Sequence, residues 1–363
     1  MRLLRNYVFK EHLGPFFVTA GGLTAVLLIG NIVKFAEMII AKGVSLVEII
    51  RLLLYLIPYL LSFTVPMACL IAMVMAFGRL NTDYELIAMR ASGVAPARLI
   101  PPMLMMALVL SMGVLALTNK VIPESHLAFR RQLKAIGIKH PTAYLEAGRF
   151  IKAFSPYVIF VYQVEDSTLI DVRIYEPKPD APTRTIVAPR GTLEPLADER
   201  GIRLTLLDGH IDEWDPQHPG SLYKVAFKTY AMTLMAGAED PRALNKKLKE
   251  MTFDELGHER SVMEAEGVAT LPIDLELHRR VASSFATFIF VLFGLSIGLA
   301  PQHHERLVTF VWILGVFIAY YLATVGTTAI ALKGWIPPWL AMWMPNFLGL
   351  LVGGWRTIRA IRG

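Results

Sequence analysis

The residues best placed to do work lie between the second and third of six apolar stretches. There Asp83, Glu85 and Arg90 are interleaved with Leu86, Ile87 and Met89. Thr82 or Asp83 can cap a short helix that stops at Gly93. Leu86, Met89 and Arg90 then share one face, with Glu85 beside it. A helix this short that exposes Leu86, Ile87 and Met89 needs a cover. Asp83 and Glu85 favour a soluble protein as that cover, because anionic lipid head groups would repel them. The chemistry is docking, with no bond made or broken.

A second set of residues is cationic. Lys34 follows the first apolar stretch, Lys120 follows the third, with Arg130 and Arg131 a little beyond it, and Arg279 and Arg280 precede the fourth. Ammonium and guanidinium groups at such boundaries can pair with phosphates in a partly dehydrated setting, where charge-assisted bonds are stronger than in water. The alternative is that they snorkel to lipid head groups, as cations near helix ends commonly do.

Bond-making chemistry finds little support. The chain has no glycine-rich phosphate loop ending in Lys-Ser/Thr, no Gly-x-Gly-x-x-Gly, no His-Glu-x-x-His and no Cys-x-x-Cys. No cofactor is therefore expected to be held by this chain. Gly294-Leu295-Ser296-Ile297-Gly298 matches a nucleophile elbow in form, but that motif needs a strained turn from strand to helix, and here it sits inside an uninterrupted apolar run. Its glycines, four residues apart, are better suited to close packing of two membrane helices. His303 and His304 are adjacent with no third ligand nearby, so no metal is expected. The one cysteine, Cys69, lies inside an apolar stretch, which leaves no disulfide framework.

These residues are positioned by the apolar stretches themselves: 13–33, 52–78, 99–119, 281–302, 307–332 and 334–355 lack any Asp, Glu, Lys or Arg. Each has the roughly 20 residues that a helix needs to cross about 30 Å of hydrocarbon. With 54% hydrophobic and 18% charged residues, the 363-residue chain is too apolar for an ordinary soluble domain. The first stretch, behind Arg2 and Arg5, is too long for a signal peptide and is expected to stay as an anchor.

The net charge of +6 does not indicate a nucleic-acid binder. Residues 121–278 carry 19 Lys and Arg against 24 Asp and Glu, whereas the remainder carries 17 against 6. Arg2, Arg5, Lys10, Arg79, Arg90, Arg98, Arg306, Arg356, Arg359 and Arg362 all fall on one side of a six-span topology. That bias places both termini in the cytoplasm and residues 121–278 outside, in the periplasm of a bacterial inner membrane. The same topology puts Lys34, Arg279 and Arg280 at one outer depth.

The acidic middle changes period. Segments at 149–154, 157–164, 171–175, 183–187, 201–214 and 222–234 are rich in Val, Ile, Tyr, Phe and Thr, and Pro, Gly and Asp clusters separate them. The expected architecture is an α-helical polytopic membrane protein of three plus three spans with an inserted all-β domain, a sandwich or jelly roll. Residues 1–120 hold the first three spans with the coupling segment at about 79–98, 121–278 the β domain with a helical connector from Pro241, and 279–363 the last three spans.

Several segments resemble the lipopolysaccharide export permeases LptF and LptG. They are Glu85-Leu86 with Met89, Ala91, Ser92 and Gly93, then Ile32-Val33-Lys34-Phe35, Leu277-His278-Arg279-Arg280-Val281-Ala282, and Pro337-Pro338-Trp339 through Pro345-Asn346. The likeness covers nearly the whole chain and leans to the F type. It implies a permease subunit of an ABC transporter that moves lipopolysaccharide from the outer leaflet of the inner membrane toward the outer membrane. It further implies a second such permease as partner, a cytoplasmic ATPase dimer (LptB-like) that binds the ATP and Mg, and a periplasmic bridge protein with one membrane helix (LptC-like). In that family the helix bearing Glu85 inserts into the ATPase, and a lysine at the place of Lys34 contacts the lipid. Tyr84 departs from the family's small hydroxyl residue, which affects local packing there. Two rivals remain: another ABC-type lipid or lipoprotein exporter or mechanotransducer, which usually has four spans, and an assembly factor without an ATPase, which needs no docking helix.

Overall fold

A computed structural model describes residues 2–362 other than 41–42, 94, 140–146, 152–153, 155, 166–167, 179–180, 197–200, 215–221, 236–245 and 301–305. The chain divides into two compact units. One comprises Met1–Gly30, Tyr55–Leu127 and Lys246–Gly363; the other comprises Asn31–Leu54 and Ala128–Asn245.

Long helices dominate the chain: α1 (Arg2–Ile40), α2 (Leu46–Thr82), the short α3 (Glu85–Ala91), α4 (Ile100–Ala116), α5 (Ile122–Lys139), α6 (Phe253–Ala265), α7 (Leu271–Gly298), α8 (Arg306–Leu332) and α9 (Pro338–Arg362). Among the described residues, five helical runs are long and apolar enough to cross a membrane: Asn6–Ile40, Leu46–Thr82, Ala97–Gly137, Leu271–Gly298 and Val308–Leu332. The sixth apolar stretch falls on α9, where Trp339, Trp343, Pro345 and Asn346 make the helix less apolar than the other five.

Small residues set the closest approach in the first unit. A Cβ on Gly294 would lie 2.7 Å from Met73 Cβ and 2.9 Å from the Leu70 carbonyl oxygen, and one on Gly298 would lie 2.7 Å from Phe77 Cβ. α7 therefore presses its backbone onto α2, as the four-residue spacing predicted. Ser296, between the two glycines, is buried and donates to the Phe293 carbonyl at 2.8 Å, so it is a helix-packing residue. Against α9, Asn346 Nδ2 donates to the Ala282 carbonyl at 2.8 Å while its Oδ1 accepts from Tyr320 at 2.9 Å. Three helices thus share one buried amide, a polar group that hydrocarbon would not otherwise tolerate.

Between α4 and α5 the helix passes through one π-helical turn, Leu117–Val121. Asn119 Oδ1 accepts there from the Phe253 backbone N–H at 2.8 Å, which ties the start of α6 to this turn. α6 opens with a capping box: the Thr252 N–H donates to Glu255 Oε2 at 2.8 Å and the Glu255 N–H donates to Thr252 Oγ1. The connector expected from Pro241 is a 3-10 turn at Leu248–Glu250 followed by α6; residues 241–245 lie outside the described part.

The β strands belong to the second unit. β1 (Phe150–Ile151), β2 (Val158–Glu165), β3 (Thr168–Lys178), β4 (Ala181–Pro195), β5 (Gly201–Trp214) and β6 (Leu222–Met235) form one antiparallel sheet in sequence order. The predicted all-β insertion is present. Its form is a meander, and the crossover pairing that would distinguish a jelly roll does not occur among the described residues. Alternate residues Ile159 and Val161, Val172 and Ile174, Ile186 and Ala188, and Leu204 and Leu206 are buried together, so one face supplies the core. Among the described residues β6 pairs with β5 alone, so this 14-residue strand lies at the edge of the sheet, with Tyr223 and Val225 exposed.

Candidate functional site: an arginine-lined cavity and a coupling helix

The first turns of α7 carry Glu276, Arg279 and Arg280 at the i, i+3 and i+4 spacing that brings side chains together on a helix. Glu276 binds both arginines. Arg279 meets it as a fork, Nε to Oε2 at 2.9 Å and Nη2 to Oε1 at 2.7 Å, and Arg280 Nε donates to Oε1 at 2.9 Å.

The two neighbours differ sharply in surroundings. Arg280 is only 2% exposed. Its Nη1 donates to the Met251 carbonyl at 2.6 Å and its Nη2 to the Leu248 carbonyl at 2.8 Å, and its guanidinium lies 6.0 Å from the Phe253 ring centroid. Those carbonyls flank the connector's 3-10 turn, so Arg280 rivets the connector to α7. A planar fork with several donors is suited to that task; a lysine is not. Arg279 remains half exposed.

Both arginines line a cavity of about 180 Å³, together with Lys249, Glu276, His126, Ser283 and Thr118. Tyr59, Phe63, Tyr320 and Tyr321 wall it with aromatic rings, and Tyr59 meets the His126 ring edge-on at 5.0 Å. The composition is that of a ligand pocket: mostly apolar lining with a few convergent polar groups. Cations outnumber carboxylates on its wall, which favours an anionic occupant.

The remaining predicted cations are distributed differently. Lys120 sits exposed on the π-helical turn and does not line the cavity. Arg130 is half-buried and Arg131 exposed, both on the part of α5 that belongs to the second unit. Lys34 falls on α1, with its side chain outside the described part. His303 and His304 also fall outside it.

At the other predicted site, α3 forms where expected, but its start is a correction. Neither Thr82 nor Asp83 caps it: Thr82 Oγ1 donates back to the Gly78 carbonyl, and Asp83 pairs with Arg79 at 3.4 Å. The N-cap position is Tyr84, in the left-handed region at φ 58° without a side-chain cap. That reversal lets α3 fold back, and it corrects the expectation that Leu86 and Met89 lie open. Both are buried in a cluster with Val8, Leu80 and Leu99, because the start of α1 and the end of α2 cover that face. Tyr84, Ile87 and Arg90 remain exposed. Glu85 accepts from the Tyr7 hydroxyl at 2.9 Å, and Arg79 bridges Asp83 and Glu11.

The family description "Lipopolysaccharide export system permease LptF/LptG" matches residues 6–359. The chain belongs to this LptF/LptG family. The match runs through the apolar helices and the inserted sheet alike. A second comparison finds "Uncharacterized protein RP871" of Rickettsia prowazekii (strain Madrid E), 24% identical over 161 residues, which is 44% of this chain and 44% of that protein. The chain thus spans less than half the length of that curated relative.

Within this LptF/LptG chain, sequence reasoning missed Glu276 and Tyr7. Glu276 carried a signal, since a carboxylate three and four residues before two arginines on a helix is an ion pair in waiting. Tyr7 carried none, because it reaches Glu85 across 78 positions of sequence. The Leu248 and Met251 carbonyls are backbone groups that no residue type announces.

Proposed function

We propose that this lipopolysaccharide export permease works as the membrane half of an ABC transporter, with ATP and Mg held by a separate cytoplasmic ATPase dimer. It pairs with a second LptF/LptG-type permease and takes up lipopolysaccharide from the outer leaflet of the inner membrane. In this reading α9 serves as the sixth span, with both termini in the cytoplasm and the sheet in the periplasm. The phosphates of the lipid meet the basic rim, with Arg279 and Lys249 the cations open to the cavity and Arg280 holding its neighbours in place. Lys34, Lys120, Arg130 and Arg131 serve the same head group at other points of its path.

The observation that carries this reading is α3. Its apolar residues Leu86 and Met89 anchor it to α1 and α2, while Tyr84, Ile87 and Arg90 face outward and Glu85 is oriented by Tyr7. A lever fixed at its root and free at its surface can carry a partner's closure into the long helices. Asp83, held by Arg79, adds to the acidic surface there. β6, the edge strand of the sheet among the described residues, suits strand addition by the β domain of a periplasmic bridge protein, which would receive the lipid.

Copurification with an ATPase subunit tests the reading. A stable complex from membranes, weakened by Ile87→Asp with the permease still folded, is the expected result. A permease that isolates with no ATPase would point to an assembly factor.

A further inference from the structure

Lipopolysaccharide phosphates are strong, bidentate partners for an arginine fork, yet the fork of Arg279 is already taken. Glu276 accepts both of its bonds, at 2.7 and 2.9 Å, while also accepting from Arg280. The two arginines depend on Glu276 unequally. Arg280 keeps two carbonyl partners on the connector whatever Glu276 does, whereas Glu276 is the partner that holds Arg279. The space in front of Arg279 is limited. At about 180 Å³ it compares with an engineered cavity of roughly 150 Å³ that admits one benzene-sized molecule. A phosphate group fits there, and an acylated sugar does not.

We propose that Glu276 is a built-in competitor for the substrate at Arg279. A phosphate monoester entering the cavity takes the Arg279 fork from Glu276, which stays bound to Arg280 and so to the connector. This inference rests on the reading that lipopolysaccharide phosphates reach this cavity. The exchange replaces one carboxylate–guanidinium fork by a phosphate–guanidinium fork, so its net free energy is small and binding is readily reversed. A transporter needs that property, because a phosphate held by an uncontested, half-buried arginine would be slow to leave. Glu276 thereby sets affinity without touching the lipid, which makes it a positioning residue.

The test measures lipopolysaccharide binding to the full permease complex in nanodiscs, for the wild type, Glu276→Gln, Arg279→Gln and the double variant. A charge-assisted bond contributes about 1.5 to 3 kcal/mol, so releasing Arg279 should tighten binding by roughly tenfold to a hundredfold. The glutamine keeps an acceptor for Arg280. In the Arg279→Gln background the same change should have almost no effect, as pairwise coupling requires. A tightening that persists without Arg279 would reveal only a general change of field, and an unchanged affinity in Glu276→Gln would show no competition; either overturns the proposal. Should Glu276→Gln fail to assemble, Glu276→Asp, too short to hold both arginines, must also tighten binding, and no change in it is equally fatal. Dephosphorylated lipid should show no gain. Inorganic phosphate that competes with the lipid in the wild type supports the phosphate as the recognised group, whereas a gain with dephosphorylated lipid contradicts it. If the wild type binds no lipopolysaccharide at all, the functional reading fails; if it binds and Glu276→Gln changes nothing, only the competitor role fails.

Discussion

Arg280 reaches from α7 to the Met251 carbonyl oxygen, 2.6 Å away and 29 residues earlier in the chain. This bond, with its companion to Leu248, joins the connector to a long apolar helix that is itself pressed onto α2. A displacement of α7 therefore carries the connector with it.

Arg280→Ala should cost about 3 to 5 kcal/mol, because it removes one of the two cations that neutralise the buried Glu276 carboxylate and leaves the Leu248 and Met251 carbonyls without their donor. Arg280→Lys should rescue only a small part, since an ammonium cannot meet three acceptors in fixed directions. Thermal unfolding of the purified complex in detergent measures both. A lysine variant as stable as the wild type would refute the rivet.

Gly298→Val should disrupt the contact of α7 with α2, because its Cβ would fall 2.7 Å from Phe77 Cβ. Overpacking of this kind costs about 1 to 3 kcal/mol or more, since neither helix backbone can retreat without losing its own packing. Gly315→Ala, which meets nothing within 4 Å, is the control and should be close to neutral. Expression level and melting temperature report the difference.

On α3 the two faces should separate by phenotype. Leu86→Ala and Met89→Ala remove buried side chains and should destabilise the permease by about 2 to 5 kcal/mol. Ile87→Ala leaves stability unchanged and weakens ATPase association. Glu85→Ala should preserve ATP hydrolysis while abolishing lipid release, and Tyr7→Phe, which removes the hydroxyl that orients Glu85, should fall between it and the wild type. Thermal unfolding checks the first two, ATPase copurification checks Ile87→Ala, and paired assays of ATPase rate and lipid release check Glu85→Ala and Tyr7→Phe.

The start of α6 should loosen in acid. The Lys246 ammonium, together with the Thr252 backbone N–H, holds the Glu255 carboxyl below its ordinary range. A depressed carboxylate contributes stability above its unfolded value of about 4.3 and loses that contribution as pH falls through its lower folded value. Amide exchange at the first turn of α6 should therefore accelerate as pH drops through that window, once intrinsic exchange is corrected for. Glu255→Gln should remove the dependence.

Much of this architecture is legible in the sequence because the bilayer imposes coarse demands. A run of 20 apolar residues has few alternatives in hydrocarbon, and Gly294 with Gly298 can hardly mean anything but a close approach. The period-two stretches likewise announced strands. Their neighbours were not announced, since alternation says which face is buried and nothing about which strand lies alongside; hence a meander stands where a jelly roll was expected. The candidate site was harder to read. Arg279 and Arg280 are equivalent as residue types, but one step along a helix turns a side chain by about 100°, enough to bury one and leave the other beside a cavity. For α3, Leu86 and Met89 at three-residue spacing define an apolar face. Whether a partner or the chain's own α1 covers that face depends on the turn at Tyr84, a left-handed residue without glycine's usual signal.

The most direct test of a phosphate-bearing lipid passing Arg279 is a photo-crosslinking residue in place of Ser283, on the cavity wall, in living cells. An adduct with lipopolysaccharide that accumulates when the ATPase is inactivated and falls in Arg279→Gln is the predicted result. A cavity that never labels the lipid, in a permease that still assembles and supports growth, would contradict the account.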